Sequence, residues 1–479
     1  GPRPVERLAS WNQYEVGPGL HLAAHPELNV TQARGNGLSI TLLGFILDPD
    51  APDHDDAGIV GRLALEARPG ISPLDLARRF GGRWLMIIAG PDDVKIFGDP
   101  AGLQQLFHTD AAATGVFWAA SEPGILAEIL GFGISPEARE FMSSEAYARN
   151  AEHWWPWDTS PYREIRRLPP NHELSVGTGA VRRFWPDKGF TPSTPDKAAE
   201  VVGETLRGLI TAMHARCPLA VTLTAGLDSR MVLAAARPVA RDVLFVTSKK
   251  RDMLESDPDL VISRRLAATL SLQHRIIDSD CQLREDFREL YFSSNQLCHE
   301  KWVFGAQAIH DALNLDKAAV GGHVAEVARR YYIMIKSGLD GEEDFTPELL
   351  ARATGLGQSA LVVRAMERWK DGLGEVYNHD ARDLLYWENR LGSWLASSQQ
   401  EFLLAWNKIL SPFNCRRVLE AALSVDPELR GGPDYPFFRS VIARLWPECL
   451  DLPINPKPPV PLARRVRRVG RRILKKLFK

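Results

Sequence analysis

The feature that most constrains this chain is an apolar run, Leu219–Leu223, that leads through a short turn into a helical pattern. Ala225 and Gly226 in the turn are small, so backbone N–H groups can approach an anion closely. A helix that starts at Asp228 would add its unpaired N–H donors and the positive end of its dipole. The segment therefore predicts a phosphate or pyrophosphate site between a buried strand and a helix, with Asp228 placed to hold a magnesium ion.

A purely structural alternative exists for each of these residues. Asp228 and Ser229 could serve only as a helix N-cap, and Gly226 only as a tight turn. The complete strand–turn–helix sequence favours the anion site over that alternative. The chain has neither a GxxxxGK[ST] loop nor a GxGxxG fingerprint, so the sequence does not support a Walker-type or Rossmann dinucleotide site.

Strand and helix patterns alternate on both sides of this segment. A helical pattern runs from Ala198 to about Ala215, and a second buried strand is predicted at Val243–Thr247. An amphipathic helix follows at Pro258–Leu272, and the pattern at 342–450 is mostly helical. Such alternation is typical of a parallel α/β sheet. We therefore predict an α/β domain at 195–460, after a proline-punctuated break at 191–195.

Residues 1–190 show a different pattern, in which short β-type runs alternate with turn signals. Leu38–Leu47 is one such run, and an acidic loop at 48–56 follows it. Clustered carboxylates can bind calcium, but Pro49 and Pro52 break the usual ligand spacing, which favours a solvated surface loop. The other predicted strands are Trp84–Ala89 paired with Val94–Phe97, Val116–Ala120, and Glu173–Val176 paired with Ala180–Trp185. Many short strands with few long helices predict an α+β layered domain.

The bulk composition restricts the compartment more than the function. The 479 residues suggest two or three domains, and a formal net charge of −2 gives no global argument for a nucleic-acid or membrane partner. The five cysteines form no CxxC pair, so neither a zinc site nor a disulfide framework is indicated. With no signal-peptide core and no stretch long enough to span a bilayer, we expect a cytoplasmic location.

The turn at Thr224–Ser229 resembles the Ser-Gly-Gly-x-Asp-Ser loop of the ATP pyrophosphatases. More narrowly, the chain resembles the asparagine synthetase and β-lactam synthetase family, which joins a glutaminase-like domain to a synthetase domain. Further segments resemble that family in the expected order: Ile165–His172 with Arg183–Trp185, Phe245–Ser248, Ala319–Tyr331 and Pro412–Asn414. The resemblance implies an Ntn-hydrolase-like layered β domain at 1–190, followed by an α/β adenine-nucleotide α-hydrolase-like synthetase domain that is rich in helices.

The resemblance also implies a reaction and the residues that perform it. A substrate carboxylate would attack the α-phosphate of ATP, and an amine would then displace AMP to give an amide. The acid could belong to a small molecule, a peptide or a glycan. The implied ATP-binding residues are Thr224, Ala225, Gly226, Leu227, Asp228, Ser229, Val246 and Gly321, the implied Mg²⁺ ligands are Asp228 and Glu326, and the implied catalytic residues are Glu326, Lys457 and Arg330.

The chain departs from the family pattern at several positions. Residues 1–190 contain no cysteine, so the glutaminase nucleophile is missing and we expect the amine to come from elsewhere, as in β-lactam synthetases and lasso-peptide cyclases. Ala325 stands where the family has an Asp that helps hold magnesium, so Glu326 could take over as the ligand while Arg329 or Arg330 helps to bind phosphate. In the alternative, Glu326 and the arginines form only an ordinary ion-paired helix start. Lys457 could instead lie in a solvated proline-rich linker. Glu388 and Arg390 could line the acyl-acceptor pocket, although a structural ion pair is favoured for them.

The last segment, 461–479, is predicted to form a basic amphipathic helix. Residues 463–479 hold nine Lys or Arg and no acidic residue, beside an apolar stripe of Leu462, Val466, Val469, Ile473 and Leu477. This pattern suits an anionic membrane surface, such as the inner face of the cell membrane, or an acidic partner. Nucleic-acid binding is less favoured, because few aromatic residues accompany the charges. A second class of function is therefore a catalytically impaired nucleotide-binding scaffold that its tail recruits to a membrane or an acidic partner.

Overall fold

The computed structural model describes residues 8–68, 71–109, 114–150, 152–294, 298, 300–313, 315–341 and 345–457. The basic helix predicted at 461–479 lies outside the described residues. The strands of the first 190 residues are β1 (Asn12–Gly17), β2 (Leu20–Ala24), β3 (Val30–Gly35), β4 (Leu38–Leu47), β5 (Gly81–Ala89), β6 (Val94–Gly98), β7 (Phe107–Thr109), β8 (Ala119–Ala120), β9 (Ile165–Arg167), β10 (His172–Ser175) and β11 (Val181–Arg183).

Six of these strands form an antiparallel sheet in the order β11-β10-β6-β5-β4-β3. Side chains alternate between its two faces, so Ile40 and Leu42 of β4 pack against the helix Asp56–Glu66. Leu43 of the same strand faces the other way and packs with Val16 of the β1–β2 hairpin. The predicted layered arrangement is therefore present, whereas its Ntn-hydrolase identity stays a prediction.

The predicted strands of this part agree with the structure to different degrees. The strand predicted at Leu38–Leu47 has the observed bounds, and both predicted hairpins are antiparallel pairs. The strand predicted at Val116–Ala120 is confined to Ala119–Ala120, because Gly115 adopts a left-handed turn and the Val116 side chain is exposed. β7, β8 and β9 form a separate three-stranded sheet.

The acidic loop at 48–56 bonds to the helix that follows it. Asp55 caps the helix Asp56–Glu66 through the N–H of Gly58. Asp48 is buried and accepts a bond of 2.6 Å from Arg62, so the expectation of a solvated loop is wrong at this residue. The remaining helical segments of the first part are Pro73–Leu76, Ala77–Arg79, Pro123–Leu130, Pro136–Met142 and Glu145–Arg149.

The second part contains the predicted parallel sheet. Its strands are β12 (Leu219–Thr222), β13 (Leu244–Lys249), β14 (His274–Asp278), β15 (Ala318–Val320) and β16 (Lys408–Leu410), in the order β14-β13-β12-β15-β16. All neighbouring pairs in this sheet are parallel. The fold of this part is therefore mixed α/β around a five-stranded parallel sheet.

Helices cover the sheet and fill the region after it. The helical segments are Pro195–His214, Leu227–Ala235, Arg237–Val239, Pro258–Thr269, Glu285–Ser294, Glu300–Ala312, Ala325–Arg329, Tyr331–Met334, Pro347–Thr354, Ala360–Asp371, Ala381–Leu385, Tyr386–Leu391, Gly392–Phe402, Arg416–Leu423, Pro427–Arg430, Pro436–Leu445 and Pro447–Leu450. The mostly helical character predicted for 342–450 is confirmed for the described residues 345–450.

The two parts of the chain share one hydrophobic core. Trp185, from the end of the first part, packs against Trp387 of the second with 4.7 Å between the ring centroids. Asn414, in the turn that resembles the family's Pro-Phe-Leu-Asp turn, bonds to the N–H of Ala101 and to Asp99, each at 2.8 Å. This turn therefore joins the two parts of the molecule.

Candidate active site

The parallel sheet has one position where the strand order reverses. From β12 the chain goes to β13 and then to β14 on one side, whereas β15 and β16 lie on the other side. The loops that leave β12 and β15 meet at the carboxyl ends of these two strands, and we call the region between them the crevice. Ligands of open α/β sheets bind at such a switch point. The loop after β12 is the turn at 224–229, which sequence reasoning selected.

The turn leads into a helix, Leu227–Ala235, whose N-cap is Gly226. Among the described residues, no side chain caps this helix end. The first N–H groups of a helix have no acceptor within the helix, so they stay available to an anion. The alternative that Asp228 and Ser229 are only an N-cap is therefore wrong: Asp228 lies in the first turn, one residue after the observed start.

The remaining polar groups of the turn hold its shape. The hydroxyl groups of Thr224 and Ser229 are 2.8 Å apart. The N–H of Gly226 donates to Thr224 Oγ1 at 3.0 Å, and the N–H of Ala225 donates to Asp259 Oδ1 at 2.8 Å. The backbone donors predicted for pyrophosphate at 224–226 thus bond to protein groups. The uncapped N-terminus of the helix Leu227–Ala235 offers the donors that these bonds leave unused.

The opposite wall of the crevice is the segment after β15, which begins at Gly321. Gly322 lies so close to the first wall that an added Cβ atom would be 2.6 Å from Asp228 Cβ, so only glycine fits there. Val324 follows with a φ of 80°, in the left-handed region that a β-branched residue rarely adopts. Strained backbone of this kind clusters at functional sites. Val324 is the N-cap of the short helix Ala325–Arg329.

Two carboxylates face each other across the crevice through one guanidinium. Arg329 Nη2 is 2.9 Å from Asp228 Oδ2 and 3.5 Å from Glu326 Oε1. Asp228 Oδ1 and Glu326 Oε2 are buried, and among the described residues neither has a hydrogen-bond partner. Burial raises the pKa of Asp228, the nearby Arg329 opposes that shift, and Glu326 adds to it.

The two free oxygens fit a magnesium site. Mg²⁺ prefers carboxylate oxygens and commonly takes one or two of them, together with water and substrate phosphates. The described residues contain no group of three His, Cys, Asp or Glu side chains that could enclose a metal alone. Asp228 and Glu326 would thus hold a magnesium ion that the phosphates of a nucleotide also bind. Ala325 is buried and adds no ligand.

The residues implied to contact adenosine lie on the two strands beside β12. Val246 belongs to β13, and its side chain is buried in a core cluster that includes Ala220. Its carbonyl oxygen accepts the N–H of Leu223 at 2.8 Å. Gly321 follows β15, and its N–H donates to Leu410 at 3.0 Å. The fold brings both residues to the carboxyl end of the sheet, around the turn.

The segment that carries Lys457 is docked beside the turn. We call residues 449–457 the C-terminal strap. The guanidinium of Arg230, which is fully buried, donates to the carbonyl oxygens of Cys449, Leu452 and Pro453. The N–H of Asn455 donates to Ala225 O at 3.0 Å. The strap is therefore tied to the loop helix, and the exposed Lys457 follows two residues after its last bond to the turn.

Three other residues that the sequence analysis considered for the site make their contacts away from Asp228 and Glu326. Arg330 turns away from the two carboxylates and donates to Glu428 Oε1 at 2.6 Å. Glu388 is completely buried and accepts bonds from Arg183, from Asn171 at 3.0 Å and from Trp369 at 2.8 Å, so its role is structural, with Arg183 rather than Arg390 as its ion-pair partner. Arg390 pairs with Glu152 at 2.6 Å and lies over the rings of Trp154 and Tyr331.

Sequence reasoning missed one residue of the crevice, His323. Its side chain is accessible to solvent, yet protein atoms surround it closely enough that desolvation lowers its pKa, with Glu326 acting in the opposite direction. The ring lies 6.3 Å from that of Trp394. The exposed His323 side chain therefore lies on the wall formed by the segment after β15. Its position directly after Gly321-Gly322 was the only signal in the sequence.

Comparisons with known proteins add little to this geometry. No family model matches the chain, and no curated protein matches it in sequence. One solved structure to which it shows a likeness is the NH3-dependent NAD synthetase from Campylobacter jejuni, in complex with a nitrate ion. The match has 14% identity and a TM-score of 0.21, and it covers 38% of this chain and 83% of that chain. A TM-score of this size is too low to establish a shared fold.

Among the helices that the structure describes, none is both long enough and apolar enough to cross a bilayer.

Proposed function

We propose that this protein is an ATP-dependent carbon–nitrogen ligase that adenylates a substrate carboxylate and passes the acyl group to an amine. The observation that carries the proposal is the pair of unpaired carboxylate oxygens, on Asp228 and Glu326, beside an uncapped helix N-terminus at the switch point. Carboxylates and helix N–H donors together suit a magnesium–polyphosphate group. The resemblance of the turn at 224–229 to the ATP pyrophosphatase loop points to the same ligand.

The chemistry proceeds in two steps. An oxygen of the substrate carboxylate forms a bond to the α-phosphorus of ATP while the bond from that phosphorus to the bridging oxygen breaks, and pyrophosphate leaves. The amine nitrogen then forms a bond to the acyl carbon, AMP leaves, and the amine releases a proton. Residues 1–190 offer no cysteine that could release ammonia from glutamine, and the proposal takes the amine from the substrate itself or from a separate molecule.

The side chains of the crevice would stabilise the charge of these steps. The N–H groups at the start of the helix Leu227–Ala235 would bind phosphate oxygens. Magnesium, when bound by Asp228 and Glu326, offsets the negative charge of the departing pyrophosphate. Lys457, which the C-terminal strap brings towards the turn, would bind the oxygens at the reacting phosphorus. Val246 and Gly321 would flank the adenosine.

The test is ATP–pyrophosphate exchange in magnesium buffer, with a panel of carboxylic acids and no amine. We expect exchange that depends on one class of acid and that is lost in the Asp228→Asn variant. The matched control is Asp50→Asn, an isosteric change at an exposed carboxylate in the first part of the chain that pairs with Arg417 of the second part. Equal exchange in Asp228→Asn and in the control would refute the metal assignment.

One observation favours a second function, that of a nucleotide-binding scaffold. Ala325, where the family has a metal-binding Asp, is buried and offers no oxygen ligand. A scaffold would bind ATP in calorimetry but catalyse no exchange with any acid, also when amines are added. That result would reject the ligase function and support the scaffold function.

The predicted basic tail carries a separate proposal. We propose that residues 461–479 bring the protein to an anionic membrane surface or an acidic partner. Deletion of 461–479 should abolish sedimentation with anionic liposomes while ATP binding is retained. Sedimentation that is unchanged after the deletion would refute a membrane role for the tail.

A further inference from the structure

The guanidinium of Arg329 occupies the centre of the candidate metal site. It lies between Asp228 and Glu326, at 2.9 Å and 3.5 Å from their nearer oxygens. Its Nε atom is buried and, within the part of the chain that the structure describes, has no hydrogen-bond partner. Three polar atoms of this triad, one on each residue, are thus buried and unsatisfied. Buried polar groups normally have partners, so this arrangement is suited to exchange its contacts.

The charges of the triad show which exchange is favourable. Two carboxylates and one guanidinium sum to a single negative charge. A divalent cation on the two free oxygens would lie beside the guanidinium, and these like charges would repel each other in a poorly hydrated crevice. A polyphosphate in the same crevice removes the conflict, since its oxygens accept bonds from a guanidinium in fixed, often bidentate geometry.

We propose that Arg329 is an exchangeable counter-ion of this site, which a divalent cation displaces from the two carboxylates when a polyphosphate is present to receive it. This inference rests on the proposed function, because it concerns the same magnesium–nucleotide site. The cation and the polyphosphate then bind interdependently: each alone binds weakly, and both together bind strongly. Such coupling is reciprocal by thermodynamic necessity.

The neighbouring Arg330 shows that a guanidinium in this segment need not occupy the site. Arg330 adopts a left-handed φ of 55°, which directs its side chain to Glu428 at 2.6 Å. Arg329 is held in its own position from two sides. Its carboxylate partners lie on one side, and the ring of Tyr435 lies 6.0 Å from its guanidinium carbon. The two arginines therefore form a matched pair for substitution.

The experiment measures Mn²⁺ binding to the full chain by electron paramagnetic resonance, first with the metal alone and then with a non-hydrolysable ATP analogue. We expect the Arg329→Gln variant to bind Mn²⁺ alone at least tenfold more tightly than the unmodified protein. Arg329→Lys keeps a positive charge and should stay near the unmodified value, as should Arg330→Gln. The analogue should strengthen Mn²⁺ binding much more in the unmodified protein than in Arg329→Gln.

Several results would overturn the inference. One is Mn²⁺ affinity in Arg329→Gln that equals or falls below that of the unmodified protein, with thermal unfolding showing that the variant is folded. Another is equal strengthening by the analogue in both proteins. The readout does not depend on catalysis. If Arg329→Gln binds Mn²⁺ more tightly but the unmodified protein shows no pyrophosphate exchange, the ligase function is rejected and the counter-ion role of Arg329 is supported. If the unmodified protein shows exchange but Arg329→Gln does not bind Mn²⁺ more tightly, the ligase function is supported and the counter-ion role is rejected.

Discussion

Two groups of carboxylates in this protein contrast sharply. Glu388, where the two parts of the chain meet, has both of its oxygens bonded, with Arg183, Asn171 and Trp369 as donors. Asp228 and Glu326, in the crevice, each leave one buried oxygen unpaired. A satisfied buried charge belongs to the architecture of a protein, whereas an unsatisfied one costs free energy unless a ligand completes it. The difference separates a structural acid from a candidate ligand-binding acid.

The largest expected effect is the loss of stability when the structural carboxylate of Glu388 is removed. The Glu388→Ala change would leave Arg183, which is largely buried, without its counter-ion. Removing one partner of a buried pair costs about 3–5 kcal/mol, so the free energy of unfolding should fall by about that amount. Urea denaturation measures it. A loss below about 1 kcal/mol would show that the interface does not depend on this charge.

The corresponding change in the crevice should affect activity and spare stability. In Asp228→Asn, we expect pyrophosphate exchange to fall about 100- to 1,000-fold, as for loss of a group that acts on the transition state. The free energy of unfolding should fall by less than about 1 kcal/mol, because Arg329 keeps Glu326 as a partner. Parallel exchange and denaturation measurements check both effects. A large loss of stability would show that Asp228, like Glu388, is a structural carboxylate.

A third buried carboxylate extends the comparison to pH. Glu401 accepts a bond from the hydroxyl of Tyr291, and burial raises its pKa from 4.5 to about 8. Between these values the unfolded chain has released its proton while the folded chain keeps it. Stability should therefore fall as pH rises from about 5 to 8, with a slope of at most about 1.4 kcal/mol per pH unit, and then level off.

The matched variant for this effect is Glu401→Gln, which cannot titrate. Denaturation at several pH values should show a smaller pH dependence in this variant than in the unmodified protein, and greater stability at pH 8. Identical pH profiles for the two proteins would contradict the buried, proton-bearing position of Glu401.

The smallest effect is expected at the pair formed by Arg330 and the exposed Glu428. Glu428 is 81% exposed, so water and salt screen the interaction. Exposed ion pairs contribute at most about 1 kcal/mol, and the Arg330→Gln change should lower the unfolding free energy by less than that amount. Thermal unfolding at low and high salt measures it. A larger loss would show that the left-handed turn at Arg330 depends on the pair.

The sequence predicted the parallel sheet and the position of the turn well, for a physical reason. The apolar run Leu219–Leu223 and the small residues after it encode a strand and a turn locally. The alternation of strand and helix patterns then restricts the sheet to a parallel arrangement. The contacts of Arg329 and Glu388 were not legible, since each depends on partners that are distant in the sequence or on a particular side-chain direction.

The docking of the C-terminal strap also depends on contacts that the sequence does not show. Lys457 lies in a proline-rich stretch, and local composition alone favours a linker there. What holds the strap is Arg230, a buried side chain whose acceptors lie more than 200 positions later in the chain. Periodicity and propensity do not report such a contact, so the docking of the strap could only be read from the structure.

The strap also has a consequence for how the protein is made. The turn at 224–229 and its helix leave the ribosome early, but their buried Arg230 has no acceptors until residues 449–453 have been synthesised. A nascent chain therefore carries an incomplete site during translation of the intervening residues. We expect the crevice to be complete only when residues 449–453 have emerged.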